Sequence, residues 1–217
     1  VSEFQENFDA DPYLRAGHQV IIVRAHNGYR KDNKWPARRD YVRSKPFVVV
    51  GYYQYLVAGR DAAQQARDFI NTVGKLAPNE FAICDLEEGG GNQSSRAVAW
   101  FNVIDPWAGF RSTLYSGEAM FKHQLGGSAS WSRPTWMAAY RSSEPTDKHT
   151  WWQNTDKARF PGLAGGVDGN IYHGTSAQFR TAVRPGGAPA EAVEAAASDH
   201  ATGMRWLWPE MAPAGFH

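Results

Sequence analysis

Residues 81–91 read FAICDLEEGGG: an apolar run, three carboxylates among four residues, then three glycines. Read as a strand, the run sends alternate side chains to opposite faces. Phe81, Ile83, Asp85 and Glu87 then share one side, and Cys84 and Leu86 take the other. Glu88 falls opposite the pair and reads as a solvated neighbour. Removing a carboxylate from water is costly, so acids at the end of a buried strand call for a chemical reason. In β/α barrels, active sites are built at strand ends and the loops that follow them.

Outward from this stretch, apolar runs alternate with helical patterns. HQVIIVRAH (18–26), FVVVGYYQYL (47–56), STLYS (112–116), TWMAAY (135–140), TWWQN (150–154) and VDGNIY (167–172) have strand character. The unbroken VIIV and FVVV runs suit strands covered on both faces, as in a parallel sheet with helices outside. Residues 60–76 place Ala62, Ala66, Phe69, Ile70 and Val73 on one helical face, with Gly74 near the end. Residues 94–104 carry an Ala97, Trp100, Phe101, Ile104 stripe behind a Ser94 or Ser95 cap. Shorter helices are expected over 11–17, where Asp11 precedes Pro12, and over 175–183 behind Thr175.

Strand–helix alternation of this kind gives an α/β fold, either a doubly wound sheet or a β/α barrel. Only nine residues separate TWMAAY from TWWQN, too few for an ordinary crossover helix. A TIM-like barrel with a reduced number of helices therefore fits better. This domain is expected to span residues 1–183. RPGGAPAEAV (184–193) breaks the pattern and opens a second segment, 184–217, of linker, alanine-rich helix and aromatic tail.

Composition removes several function classes. A chain of 217 residues with 42% hydrophobic content supports one sizeable core and argues against disorder. The net charge of +1 makes no case for nucleic acid, which is recognised largely through phosphate neutralisation. RKDNKWPARRDYVRSK (30–45) is locally basic and reads as a solvated helical face. The single Cys84 permits no intrachain disulfide and reads as a small buried hydrophobe. No apolar run is long enough to cross a bilayer, and VSEFQENFDADP lacks the plan of a signal peptide. Synthesis and folding in a cytoplasm are expected, unless a leader has been removed. Seven scattered histidines show no metal-ligand spacing, and GGGNQSS lacks the lysine of a phosphate loop. Neither metal nor cofactor is expected, and the glycines read as the rim of a groove.

Two carboxylates two residues apart on a strand have α-carbons roughly 6.6 Å apart. Their repulsion keeps one of them protonated toward neutral pH. One group can then protonate a glycosidic oxygen while the other stabilises charge at the sugar carbon. On spacing alone, a solvated acidic turn is the simpler reading of D-x-E.

The order of motifs along the chain reverses that preference. VSEFQ, VIIVRAHNG, VGYYQYL, QQARDFINTVGK, AICDLEE, TLYSG, PTWMAAYRSSEP, TWWQNTD and GVDGNIYHG follow one another over roughly residues 1–174. Together they resemble the successive elements of the family 25 glycoside hydrolases. These are the Chalaropsis-type lysozymes or N-acetylmuramidases, a family that includes many phage endolysins. The resemblance adds VSEFQ as a first strand, which implies an eight-stranded barrel. It implies that Glu87 is the general acid and then base. Asp85 would orient the substrate N-acetyl group and stabilise the intermediate of a retaining, substrate-assisted route. Asp168 would be a supporting acid across the mouth. Tyr53, Tyr115, Trp136, Tyr140, Gln153 and Asn170 would line the saccharide groove.

The implied partner is bacterial peptidoglycan, cleaved at the β-1,4 bond between N-acetylmuramic acid and N-acetylglucosamine by a monomeric enzyme. A phage lysin held in the host cytoplasm until lysis, then acting on the cell wall, fits this reading; secretion is the alternative if a leader was removed. The sequence departs from the family pattern at three points. The aspartate that precedes V-S-x-F-Q in family members is not in the sequence, Gln54 stands where histidine is common, and Asn154 where tyrosine is common. Two alternatives stay open on that account: a catalytically impaired wall-saccharide-binding barrel, and a hydrolase of chitin-like polymers.

Overall fold

The two near-continuous apolar runs pair with each other. In the computed structural model, which describes residues 1–5 and 8–185, β1 (Val20–His26) lies parallel to β2 (Val49–Tyr55). β3 (Glu80–Asp85), β4 (Thr113–Gly117), β5 (Thr135–Ala138) and β6 (Trp151–Ala158) follow in chain order, each parallel to the last. β7 (Val167–Ile171) ends the sheet antiparallel to β6. Every apolar run read as a strand forms one.

The eighth strand expected at residues 1–5 does not form. Val1 alone reaches β1: its nitrogen donates to the Ile22 carbonyl (2.7 Å), and its own carbonyl accepts from the Arg24 N–H (2.9 Å). Beyond it the chain turns, with Ser2 N–H bonded to Gln5 Oε1 (2.6 Å) and Gln5 N–H to the Ser2 carbonyl (3.0 Å). A local turn that satisfies its own backbone groups has none left for a ladder. The eight-stranded TIM-like barrel is thus corrected to a curled, seven-stranded half-barrel.

Helices α1 (Ala10–Arg15), α2 (Trp35–Arg43), α3 (Ala62–Val73), α4 (Ser94–Ala108), α5 (Glu118–Gln124) and α6 (Ser176–Val183), with a 3-10 turn at Ser128–Ser130, connect and flank the strands. No helix joins β5 to β6, as the nine-residue spacing anticipates. The cap of α1 is Asp9 rather than Asp11, and α4 is preceded by Gln93 rather than capped by a serine. Thr175 forms a full capping box with Gln178 on α6. The basic stretch over 30–45 is helical in part, yet much of its charge is paired: Arg30 with Glu3, Arg39 with Asp40, Arg43 with Glu80, Lys45 with Asp11. The alanine-rich helix and aromatic tail expected after residue 185 lie outside the described residues.

Strand alternation divides the core in two. Outward-facing Tyr52, Cys84, Leu86 and Leu114 pack under the predicted α3 and α4 stripes, including Phe69 and Trp100. Inward-facing Phe81, Ile83, Tyr115, Trp136 and Trp151 fill the curl, and Phe179 of α6 closes its lower end. Gly51 belongs to this inner face, where a Cβ would come within 2.9 Å of Ile83 and Phe81. The lower end is plugged with apolar side chains, so the opposite end, at the carboxyl termini of β1–β5, is left for chemistry.

At that lower end Glu80 is fully enclosed. It accepts two bonds from Arg43 (2.7 and 2.8 Å), one from the Tyr52 hydroxyl (2.6 Å) and one from the Ala77 N–H (2.7 Å). Burial alone would raise its pKa, but these donors hold it below the ordinary glutamate range. Arg43→Ala should destabilise the fold by about 1.5–3 kcal/mol, the usual worth of hydrogen bonds to a charged group. Urea unfolding at neutral pH measures this, with Arg43→Lys recovering part of the loss.

Candidate active site

The pleat of β3 carries Phe81, Ile83 and Asp85 on the inner face, and the chain leaving the strand brings Glu87 to the same cleft. Asp85 is buried, with 6% of its surface exposed, and its Oδ1 has no hydrogen-bond partner among the described residues. Its carboxyl lies within hydrogen-bond reach of Glu87. Burial raises the Asp85 pKa well above the ordinary aspartate value. The Glu87 charge and hydrogen bond add to that, and Arg24 opposes it. Glu87 stands at the mouth with an outer side open to water. Desolvation of its inner side raises its pKa, the Asp85 hydrogen bond works against the rise, and the Asp168 charge adds to it. Two carboxyls this close, in this much protein, hold a proton between them above the pH at which free acids would lose it.

Asp168 on β7 faces the pair across the cleft. Its pKa is raised chiefly by desolvation, which the neighbouring Gln153 side chain opposes. Tyr53, Tyr115, Trp136, Gln153 and Asn170 line the same cleft, as the sequence anticipates. Tyr140 does not line it; it stands at the rim, 56% exposed and close to Tyr115. Trp136 stacks on Trp151 with centroids 5.6 Å apart, and its indole N–H donates to Asn170 Oδ1 (2.8 Å). Gln153 is buried, accepts from the Tyr115 hydroxyl (2.6 Å), and lies close enough to Asp168 to hold down the rise in its pKa. It stands between Tyr115 and Asp168 in the lining of the cleft.

Two readings of single residues change. Glu88 is no solvated neighbour: it accepts from the Tyr55 hydroxyl (3.1 Å) and from the Ala58 N–H. Gln54 turns to the outer layer, receiving the Trp100 indole N–H (2.7 Å) and donating to the Gln65 carbonyl (2.8 Å), so it does not touch the cleft. The sequence reading also missed Arg24. Its guanidinium is clamped by Glu3 (2.6 Å) and by fully buried Asp32 (2.9 Å). An arginine inside the apolar run VIIVRAH was the available signal. Among the described residues no group of three or more His, Cys, Asp or Glu side chains is set to hold a metal ion.

A carboxyl pair at the carboxyl end of a parallel strand, one buried and one at the mouth, with aromatic walls, is the apparatus of a glycosidase. Comparison with known proteins agrees: the sequence model of glycosyl hydrolases family 25 matches residues 1–163, and the chain belongs to that family. Asp85 and Glu87 fall inside the matched span; Asp168 and Asn170 lie just beyond it. An uncharacterised Escherichia coli K12 protein, YegX, is 26% identical over 197 residues, covering 84% of this chain and 71% of YegX. The fold is similar to that of a bacterial lysozyme from Streptomyces coelicolor, with TM-score 0.75, 18% identity, and coverage of 86% of this chain and 95% of that one. It is also similar to the catalytic domain of endolysin ply40 from Listeria bacteriophage P40, with TM-score 0.67, 22% identity, and coverage of 78% and 89%.

The raised Asp85 pKa has a consequence for stability. The folded state binds the proton more tightly than the unfolded chain, so this group favours folding at low pH. Its contribution is lost as pH rises through the raised value. Asp85→Asn should therefore raise the melting temperature at pH 7–8 and give little difference near pH 3, in thermal scans of the two proteins side by side.

Proposed function

We propose that the protein is a peptidoglycan muramidase that cleaves the β-1,4 bond between N-acetylmuramic acid and N-acetylglucosamine. The observation that carries this reading is the Asp85–Glu87 pair, hydrogen-bonded and shifted upward together, in a cleft walled by Tyr53, Tyr115 and Trp136 of a family 25 chain.

Glu87, nearer the solvent, is the proton donor and Asp85 the deeper partner. At rest the pair shares a proton. When the substrate enters, its acetamido N–H meets the unpartnered Asp85 Oδ1, which favours the carboxylate form there and leaves the proton on Glu87. Glu87 gives that proton to the glycosidic oxygen as the bond from the sugar C1 to that oxygen breaks. The acetamido carbonyl oxygen attacks C1 from the opposite face, and Asp85 stabilises the positive charge on the resulting ring. Glu87, now a carboxylate, takes a proton from water, whose oxygen attacks C1 and restores the acetamido group with the anomeric configuration retained. Asp168 faces Glu87, and its charge raises the Glu87 pKa and so favours the protonated form there.

The enzyme acts as a monomer on the wall glycan, in the manner of a phage lysin released at lysis. A fold whose single cysteine is buried needs no oxidising compartment. Glu87→Gln should reduce release of reducing ends from purified walls by at least about a thousandfold in kcat, with the melting temperature kept. Wall binding by the unaltered protein without release of reducing ends would overturn the reading. Faster turnover of chitooligosaccharides than of peptidoglycan would move the substrate to chitin-like polymers. Because the reaction needs a proton on the pair, kcat should fall as pH rises through the raised Glu87 value.

A further inference from the structure

Four large hydrophobic side chains stand well out into solvent among the described residues: Phe4 (78% exposed), Tyr29 (70%), Tyr140 (56%) and Val98 (45%). Val98 is on helix α4. The three aromatics instead belong to one end of the molecule. Tyr29 is in the loop that leaves the carboxyl end of β1, and Tyr140 follows β5. Phe4 lies over the guanidinium of Arg24, a β1 residue whose charge reaches Asp85. Single exposed apolar residues are ordinary, but aromatic rings gathered on the face that carries a cleft mark a binding surface.

Phe4 and Tyr29 are also held in place. Asn27 Oδ1 accepts the N–H groups of Tyr29 (3.1 Å) and Arg30 (3.0 Å). Gly28 has φ +88°, and a Cβ there would collide with Val57, so this loop is pressed against the end of β2. Arg60 bonds the Gly28 carbonyl and lies over the Tyr29 ring, 5.4 Å from its centroid. Phe4 has Arg24 at 5.0 Å in the same way. Glu3 ties the two together, paired with Arg24 at 2.6 Å and with Arg30 at 3.1 Å. Each ring thus rests one face on an arginine that is itself anchored. A pyranose offers a flat face of C–H groups that stacks on such a ring, burying apolar surface against its electron-rich face. Rings already ordered lose little entropy when they are covered.

We propose that Phe4 and Tyr29 form a stacking rim for pyranose rings of the glycan strand beyond those held at Asp85 and Glu87, on the β1 side of the cleft. Tyr140 bounds the opposite side. This rests on the muramidase reading and extends it to a preference for long chains over short oligosaccharides.

The test uses the Glu87→Gln protein, so that ligand is bound and not consumed. Wall glycan chains freed of their peptide stems, and a tetrasaccharide cut from them, are titrated calorimetrically. Phe4→Ala and Tyr29→Ala should each weaken long-chain binding about three- to tenfold, with less than about a twofold effect on the tetrasaccharide. Tyr29→Trp should keep long-chain affinity. Melting temperatures check that the folds are intact. Unchanged long-chain affinity in both alanine variants, or equal losses on both ligands, overturns the rim. If Glu87→Gln without further change binds neither ligand, the muramidase reading fails, and the rim with it.

Discussion

Two carboxyl groups held together where water reaches only one of them is the constraint around which this molecule is organised. Asp85 has 6% of its surface exposed, whereas Glu87 opens to solvent at the mouth. Burial pushes both toward the protonated form, and neither can ionise without affecting the other. Such an arrangement costs stability, and the rest of the fold must hold it. The sheet does so by being apolar on both faces: helices cover its outside, and Phe81, Trp151 and Phe179 fill its inside beneath the acids.

A second set of charges supports the first. Arg24 stands close enough to Asp85 to oppose the rise in its pKa, and is fixed by Glu3 and buried Asp32. Asp32 also receives the N–H groups of Glu3 and Lys34, each at 2.9 Å, so one carboxylate ties the amino-terminal turn to the loop after β1. On the other wall, the Tyr115 hydroxyl donates to Gln153, which lies beside Asp168. The acids are thus flanked by a cationic brace on the β1 side and by a polar one ending in the Asp168 carboxyl on the β6 side. This asymmetry gives the two carboxyls different surroundings and so different tasks.

Much of this was legible in the chain. VIIV and FVVV announce two-sided burial, and the period-two alternation of FAICDLE assigns Asp85 and Glu87 to one face, because the pleat leaves no other choice. The Ala97, Trp100, Phe101, Ile104 stripe is buried as its spacing requires. Other features were not legible. Helix α5 is a single short element that starts where β4 stops, too brief for periodicity to register. VSEFQ has the composition of a strand, but a side-chain bond from Gln5 turns it after one residue. Gln54 and Gln153 are both strand glutamines; only the sheet's curvature and neighbours send one to a tryptophan in the outer layer and the other to an aspartate in the cleft.

The sequence by itself determined the strands, their order of burial, and the pairing of two acids on one face, since these follow from local periodicity and desolvation. Tertiary structure decided what depends on distant contacts. It made the sheet a seven-stranded half-barrel with its last strand reversed, brought Asp168 of β7 to face Glu87, and set Arg24 against Asp85. The pKa of a carboxyl depends on the charges and the dielectric around it, and those are fixed only when segments far apart in sequence meet.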